Sequence, residues 1–278
     1  MKKVKIVADS SANILTLSDC GFAVAPLKII TDEREFTDDA DLSVEDMVAW
    51  FDGYKGKSKT SCPNTGDWLE AFGDAQEIYC VTITSGLSGS YNAACTAREV
   101  YEAEHPGRRV YVIDSLSAGP ELMLLVEKLR QDIRQGLSFE EICTGIEAYK
   151  NNTGLLFMLA SLKNFAANGR VSPAVAKIAG VLGIRIVGKA SSQGTLEPTD
   201  KSRGQDRALS TLAQRLTEAG LSRGKVRIAH CGNEEAALKL REMILREHPK
   251  ADVGIHGCRG LCSYYAEKGG LLVGFEKK

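Results

Sequence analysis

Short apolar runs separated by amphipathic stretches set the pattern of the first half of the chain. Strands are predicted over residues 4–8, 78–84 and Arg109–Asp114, where apolar and β-branched residues cluster. Apolar residues recur at helical spacing over Ser90–Glu104 and about residues 118–135, which predicts helices there. Because strands that alternate with helices of this length are typical of βαβ units, the pattern predicts an α/β domain with a parallel sheet.

The segments between these units carry weaker patterns. Ile14, Leu15 and Leu17 predict the apolar side of a helix after the first strand. The other elements predicted here are a strand over 22–30, a polar turn or hairpin over 31–36, a helix over 43–54, a polar connector over 57–64 and a short helix over 67–72.

A change in the pattern after a predicted helix over 138–151 places a domain boundary near residue 150. Ser172-Pro173 predicts the start of a helix that contains Val175, Ile178 and Leu182. The other elements predicted here are helices over 162–167, 203–219 and 234–246, a hairpin over 183–189 and 194–197, and strands over 155–159, 226–230, 253–256 and 271–275. The prediction is therefore an α/β domain over residues 1–150 and an α+β domain over 151–278.

The stretch TITSGLSGSYNAA, residues 82–94, joins a predicted strand to a predicted helix and is rich in Ser and Gly. The first amides of a helix lack intrahelical partners, so Ser88 and Gly89 beside them favour a carboxylate or phosphate. Ordinary helix capping explains the same residues, and the run GLSGS lacks the last glycine of a nucleophile elbow. Ser10 and Ser115 also follow predicted strands, so three serine-bearing loops are expected at one sheet edge.

Composition narrows the classes of partner. The formal net charge of −1 gives no electrostatic reason to expect nucleic acid or an anionic membrane. No apolar run approaches the roughly 18 residues of a membrane span, and Asp9 interrupts the first apolar run too early for a signal peptide. A cytoplasmic protein is expected.

Two clusters raise the question of a metal. His256, Cys258 and Cys262 form an H-x-C-x3-C pattern, but a fourth ligand at a familiar spacing is missing, so no metal is expected. The eight cysteines are scattered, and most are expected to be reduced core residues. The acidic run over 37–41 precedes a predicted helix and is read as a solvated cap, with metal binding or acid-base chemistry as the alternative.

Several short motifs, taken together, resemble those of the DegV family over about residues 4–275. The matching segments are Asp9-Ser10, Thr60-Ser61, the Ser-rich turn over 85–91, Asp114-Ser115, Leu162-Lys163-Asn164 with the Gly-Arg segment over 169–172, and the basic loop over 201–204. On these matches the chain is identified as a member of that family.

The resemblance implies a two-domain protein that binds one long-chain fatty acid between its domains, with the tail buried in a tunnel. It assigns the fatty acid or its carboxylate to Thr60, Ser61, Ser88, Gly89, Arg170 and His256. It also implies a carrier subunit that presents the acyl group to an ATP-binding fatty acid kinase, with Arg203 as a partner contact. On this reading the chain is not itself a catalyst and needs no cofactor beyond its ligand.

Two other classes stay open from the residues alone. One is a stand-alone acyl- or phosphoryl-transferring α/β enzyme that uses the Ser88 loop, although the chain shows neither a nucleotide motif nor a Ser-His-Asp order. The other is an interaction module without a small ligand.

Overall fold

The computed structural model describes residues 3–172, 175 and 183–277. A four-stranded sheet in the order β2-β1-β6-β7 forms the centre of the first domain, and all of its strand pairs are parallel. Its strands are β1 (Val4–Asp9), β2 (Gly21–Ala25), β6 (Glu77–Thr82) and β7 (Arg109–Asp114). Every residue of β6 is buried, as expected for a parallel strand covered on both faces.

Helices cover both faces of this sheet. Trp68 and Phe72 of α2 (Thr65–Phe72) pack with Tyr101 of α3 (Ser90–Glu104) on one face. Leu122 and Leu125 of α4 (Pro120–Arg134) pack with Ile146 of α5 (Phe139–Asn151) on the other. The parallel-sheet α/β prediction for this domain is therefore confirmed.

A small antiparallel sheet, in the order β4-β3-β5, lies beside the first. Its strands are β3 (Lys28–Thr31), β4 (Glu35–Thr37) and β5 (Ser58–Ser61), and α1 (Val44–Gly53) lies between β4 and β5 in the chain. The predicted hairpin over 31–36 is confirmed by the pairing of β3 with β4. The prediction of a polar connector over 57–64 was wrong in part, because residues 58–61 form strand β5, which pairs with β3. Only alternate residues of β5 are exposed, but its polar composition concealed this strand pattern.

Two other predictions for this region were wrong. The single strand over 22–30 is split at Pro26, which lacks a backbone N–H, into β2 and β3 in different sheets. The helix expected around Ile14 and Leu15 is a 3-10 helix, Ser10–Ala12, followed by a loop. Asp9 caps this short helix, and Asn13 ends it in the left-handed conformation with φ of 59°.

The second domain contains a six-stranded mixed sheet in the order β10-β9-β8-β13-β11-β12. Its strands are β8 (Thr153–Leu159), β9 (Ile184–Ala190), β10 (Leu196–Arg203), β11 (Lys225–His230), β12 (Asp252–Gly257) and β13 (Leu271–Glu276). Only β11 and β12 pair in parallel. Helices α7 (Gln205–Glu218) and α8 (Glu234–Glu247) cover one face, with Leu209, Leu212 and Leu240 in the core between.

The other face of this sheet turns toward the first domain. Helix α4 contacts β1 and β6 of the parallel sheet and also β11 and β13 of the mixed sheet. A Cβ at Gly274 in β13 would lie 2.4 Å from the Pro120 carbonyl carbon, so this close contact requires glycine. Strands through Asp114 belong to the first two sheets and strands from Thr153 to the mixed sheet, while the exact boundary near residue 150 stays a prediction.

The described part of the second domain also contains two short helices, α6 (Lys163–Ala167) and α9 (Gly260–Ala266), and α9 was not predicted. The helix predicted from Ser172-Pro173 lies outside the described residues except for Ser172 and Val175. Within the ranges that are described, none of the helices has the length and hydropathy needed to cross a bilayer.

Candidate functional site

A cavity of about 290 Å³ lies where the two domains meet. The end of β5 and the Ser-rich loop after β6 line it from the first domain. Strand β8, the β9–β10 hairpin and helix α9 line it from the second. Both domains therefore contribute residues to the wall of the cavity.

Strand β8 supplies much of the apolar wall because its side chains alternate between two faces. Leu155, Phe157 and Leu159 line the cavity, whereas Leu156 and Met158 pack into the core under α7 and α8. Further apolar side chains continue the wall, namely Leu27, Ile83, Phe165, Leu196, Leu261 and Leu272. This surface can enclose a hydrocarbon.

The structure brings five of the predicted ligand residues to this cavity: Thr60, Ser61, Ser88, Gly89 and Arg170. Cys62 shows how close some of them lie, since a Cβ built on Gly89 would be 3.3 Å from its sulfur. Burial raises the pKa of the Cys62 thiol, and the positive charge of Arg170 opposes that rise. A thiol, hydroxyls and a guanidinium therefore share one part of the wall.

Arg170 is available to bind an anion. Its side chain is exposed, and its Nη1 donates to the carbonyl of Asn168 at 2.9 Å. None of the carboxylates in the described ranges forms an ion pair with it. A ligand carboxylate at the cavity would meet an unneutralised guanidinium, which pairs well with planar anions.

The Ser88 hydroxyl takes part in the hydrogen bonding of its own loop. Its Oγ accepts a hydrogen bond from the Ser90 amide at 3.3 Å. Among the described residues that line the cavity there is no histidine. A serine that acts as a nucleophile is usually activated by an adjacent base.

Asp9 holds the Ser-rich loop in place. Its fully buried carboxylate accepts hydrogen bonds from the Ile83 amide at 2.8 Å and the Ser90 hydroxyl at 2.7 Å. It also accepts from the amide and hydroxyl of Ser11. Burial raises the pKa of Asp9, and these four donors oppose the rise. Strand β1 thereby fixes the end of β6 and the start of α3, on either side of Ser88.

The other two serine loops lie at the same edge of the parallel sheet, as expected, but their hydroxyls bond within the protein. Ser10 Oγ accepts from the Leu27 amide at 3.1 Å. Ser115 Oγ donates to the Ser117 carbonyl and accepts from the Ser117 amide. Of the three loops, the Ser88 loop is the one whose predicted serine faces the cavity.

The tip of the β9–β10 hairpin packs against the Ser-rich loop. A Cβ at Gly86 would lie 2.5 Å from the Gln193 carbonyl oxygen. Gly194 has φ of +69°, and a Cβ there would lie 1.9 Å from Thr84 Oγ1. Only glycine permits this approach, which closes the cavity on that side.

Helix α9 contributes four lining residues that the sequence prediction missed: Leu261, Cys262, Tyr265 and Ala266. The Tyr265 hydroxyl is 2.7 Å from Thr60 Oγ1, so α9 also orients a predicted head-group residue. The i, i+4 spacing of Leu261 and Tyr265 was the available signal for this short helix.

His256 is not among the described residues that line the cavity, so the structure does not place it beside the other predicted ligand residues. Its ring lines a separate cleft together with Glu127 and Arg227. The physical reason is topological, because β12 is the edge strand of the mixed sheet and β8 lies three strands away. Burial and the charge of Arg227 lower the pKa of His256.

Arg203 is exposed at the end of β10 and does not line the cavity. It pairs with Ile184, whereas Leu196 at the other end of β10 lines the cavity. Arg203 lies seven positions after Leu196 along the strand, which is about 24 Å at the usual rise.

Every cysteine of the chain is at least partly buried. Cys258 and Cys262 are buried in an apolar cluster with Ala229, and burial raises the pKa of both thiols. All eight cysteines are free. In the part of the chain that the structure describes, no group of three or more His, Cys, Asp or Glu residues is arranged to hold a metal ion.

These features define the class of the protein: a two-domain α/β protein with an amphipathic ligand cavity between the domains. A family model described as "Uncharacterised protein, DegV family" matches residues 3–278. A DegV domain-containing protein of Streptococcus pneumoniae is 44% identical over 276 residues, which cover 98% of each chain. The chain therefore belongs to the DegV family.

Two solved structures are similar along the whole chain. One is a DegV family protein from Eubacterium eligens loaded with heptadecanoic acid, which is 47% identical with a TM-score of 0.97 and coverage of 99% of this chain and 100% of that one. The other is the Fatty Acid Kinase (Fak) B3 protein of Streptococcus pneumoniae loaded with linoleic acid, which is 42% identical with a TM-score of 0.97 and full coverage of both chains.

Proposed function

We propose that this protein binds one long-chain fatty acid in the cavity between its domains. The observation that carries the proposal is the chemical division of the cavity, which combines an extended apolar wall with a cluster of hydroxyls and Arg170, an arginine that forms no ion pair with the described carboxylates. The relatives from Eubacterium eligens and Streptococcus pneumoniae, crystallised with heptadecanoic and linoleic acid, support it.

The tail supplies most of the affinity. Each buried methylene contributes about 0.8 kcal/mol, so a chain in contact with Leu155, Phe157 and Leu159 gains substantially from leaving water. The carboxylate contributes specificity, since a charged group in a partly buried site must find donors. Thr60, Ser61, Ser88, the backbone at Gly89 and Arg170 provide such donors in this proposal.

The protein acts as a carrier that presents the acyl carboxylate to an ATP-binding fatty acid kinase, which forms the acyl phosphate. The similarity to Fak B3 supports this role, as does the absence of a histidine among the described cavity-lining residues. Arg203 contacts the kinase rather than the ligand, because it is exposed and remote from Leu196 along β10. The chain needs no cofactor besides its ligand in this scheme.

The carrier works in the cytoplasm in this proposal. Free thiols at all eight cysteines, several of them buried, are characteristic of proteins in a reducing compartment.

Native mass spectrometry of the purified chain, followed by extraction of any released lipid, tests ligand binding directly. We expect one fatty acid per chain, and after delipidation we expect linoleate to rebind. Arg170→Ala should weaken that binding about tenfold, because it removes a charge-assisted hydrogen bond at a partly solvated position. Ser88→Ala should weaken it less.

Arg246→Ala is the matched control, since Arg246 is an exposed arginine in the last turn of α8 that does not line the cavity. It should bind linoleate as the wild type does. A wild-type chain that stays empty when offered linoleate and heptadecanoate would refute the proposed function. Binding that is equally weak in the Arg170 and Arg246 variants would refute the head-group assignment alone.

A further inference from the structure

Helix α9 belongs to the second domain, but the backbone amides at its start donate hydrogen bonds to side chains of the first domain. The Arg259 amide donates to Asn13 Oδ1 at 2.9 Å. The next two amides, of Gly260 and Leu261, each donate to a different oxygen of the Asp38 carboxylate at 2.8 Å. These amides have no partners within their own helix, and α9 has no side-chain cap of its own.

Asp38 is well fixed for this role. Its side chain is fully buried, and its own amide donates to the Leu27 carbonyl at 2.9 Å. A Cβ at Gly260 would lie 2.8 Å from the Asp38 carboxyl carbon and 2.5 Å from Leu42 Cδ2, so glycine lets the helix approach. The expectation that the acidic run over 37–41 is a solvated cap of the next helix was wrong for Asp38, because this carboxylate is buried and caps a helix more than 200 residues away, while Ser43 caps α1.

The helix that Asp38 caps is also a wall of the cavity. Leu261, whose amide donates to Asp38, lines the cavity, and so do Cys262 and Tyr265 of the same helix. Tyr265 in turn contacts Thr60. A shift of the first turn of α9 would thus move the apolar wall and a head-group residue together.

We propose that Asp38 is a positioning residue that closes the ligand cavity by capping α9 across the domain interface. The inference rests on the proposed function for its effect on ligand exchange, but the capping itself does not. Asp38 holds α9 in the position that encloses the acyl chain, and loss of the cap lets the chain leave faster.

Asp38→Asn tests the proposal, because the amide can accept from one of the two backbone N–H groups but presents its own donor to the other. We expect the dissociation rate of bound linoleate, measured by transfer to serum albumin, to rise about tenfold, since one buried amide loses its partner. We also expect the amides of Gly260 and Leu261 to exchange hydrogen faster, while those of β6 keep the wild-type rate.

Asp39→Asn is the matched control, because it removes the same charge one residue away while the Asp39 side chain bonds only locally, to the Asp41 amide. It should leave both rates unchanged. Asn13→Gly, which suits the left-handed backbone at that position, should raise both rates in the same direction by a smaller factor.

Three results would overturn the proposal: an unchanged dissociation rate in Asp38→Asn, an equal rise in Asp39→Asn, or a uniform rise in exchange that includes β6. If Asp38→Asn does not fold, hydrogen exchange in the wild type tests the cap instead. The amides of Gly260 and Leu261 should then exchange as slowly as those of β13, and free exchange at these two amides would overturn the proposal. If the wild type binds no fatty acid, the proposed function fails, and the exchange of α9 in the empty protein still tests the cap.

Discussion

Asp9 is the residue whose removal should test most severely how the Ser-rich loop is built. Asp9→Ala deletes a fully buried carboxylate that accepts four hydrogen bonds. The Ile83 and Ser11 amides and the Ser90 and Ser11 hydroxyls lose their acceptor. Since Ile83, Ser90 and Ser11 are themselves buried, water does not readily replace it.

The magnitude follows from the cost of unpaired groups. Each buried amide left without a partner costs about 1–3 kcal/mol, and hydroxyls cost less because they can rotate toward other acceptors. The four losses are offset in part, since the native carboxylate is desolvated and its pKa is raised for that reason. We therefore expect Asp9→Ala to lower the free energy of unfolding by about 3–5 kcal/mol.

Urea unfolding at neutral pH measures this loss, and Ser90→Ala is the partner variant. Ser90→Ala removes one of the four donors and should cost about 1 kcal/mol. Where Asp9→Ala still folds, its affinity for linoleate should fall as well, because Ser88 lies between the two segments that Asp9 joins. A loss below about 1 kcal/mol in Asp9→Ala would show that the carboxylate does not organise the loop.

Two further predictions follow from charged groups outside the cavity. His256 has a lowered pKa, so between that pKa and the ordinary 6.5 the unfolded chain binds more protons, and stability should fall as the pH drops below 6.5. Between pH 7.5 and 5.0 the urea midpoint of His256→Gln should fall less than that of the wild type. The fall that remains in the variant comes from other groups such as His230, whose pKa is also lowered. An equal fall in both proteins would contradict the prediction. Arg203→Ala should keep the wild-type affinity for linoleate but lower acyl phosphate formation by added fatty acid kinase, with Arg246→Ala as control; weaker linoleate binding would contradict the assignment.

Much of the architecture was predictable from local pattern. The helix Ser90–Glu104 and the strand Arg109–Asp114 have the predicted bounds, because buried strands and amphipathic helices leave a periodic signal in neighbouring residues. The errors fell where that signal was misleading. Pro26 splits an apparently continuous strand, and β5 is polar because only alternate residues of its short span are covered.

The site was predictable only in part. Motifs pointed to Ser88 and Arg170, and the structure brings both to one cavity, although their role in binding stays a proposal. His256 followed from the same resemblance, but the strand order of the mixed sheet puts it in another cleft. The order of strands in a sheet cannot be predicted from a local sequence pattern.

The sequence by itself determined the class of fold, most of the order of elements and the loops that end the parallel strands, since each depends on residues close together in the chain. Tertiary structure alone decided what those loops face. The cap from Asp38 to Leu261 and the contact of Thr60 with Tyr265 join residues more than 200 positions apart. Such contacts form because both domains must satisfy buried polar groups where they meet, and that requirement depends on their packing rather than on either segment alone.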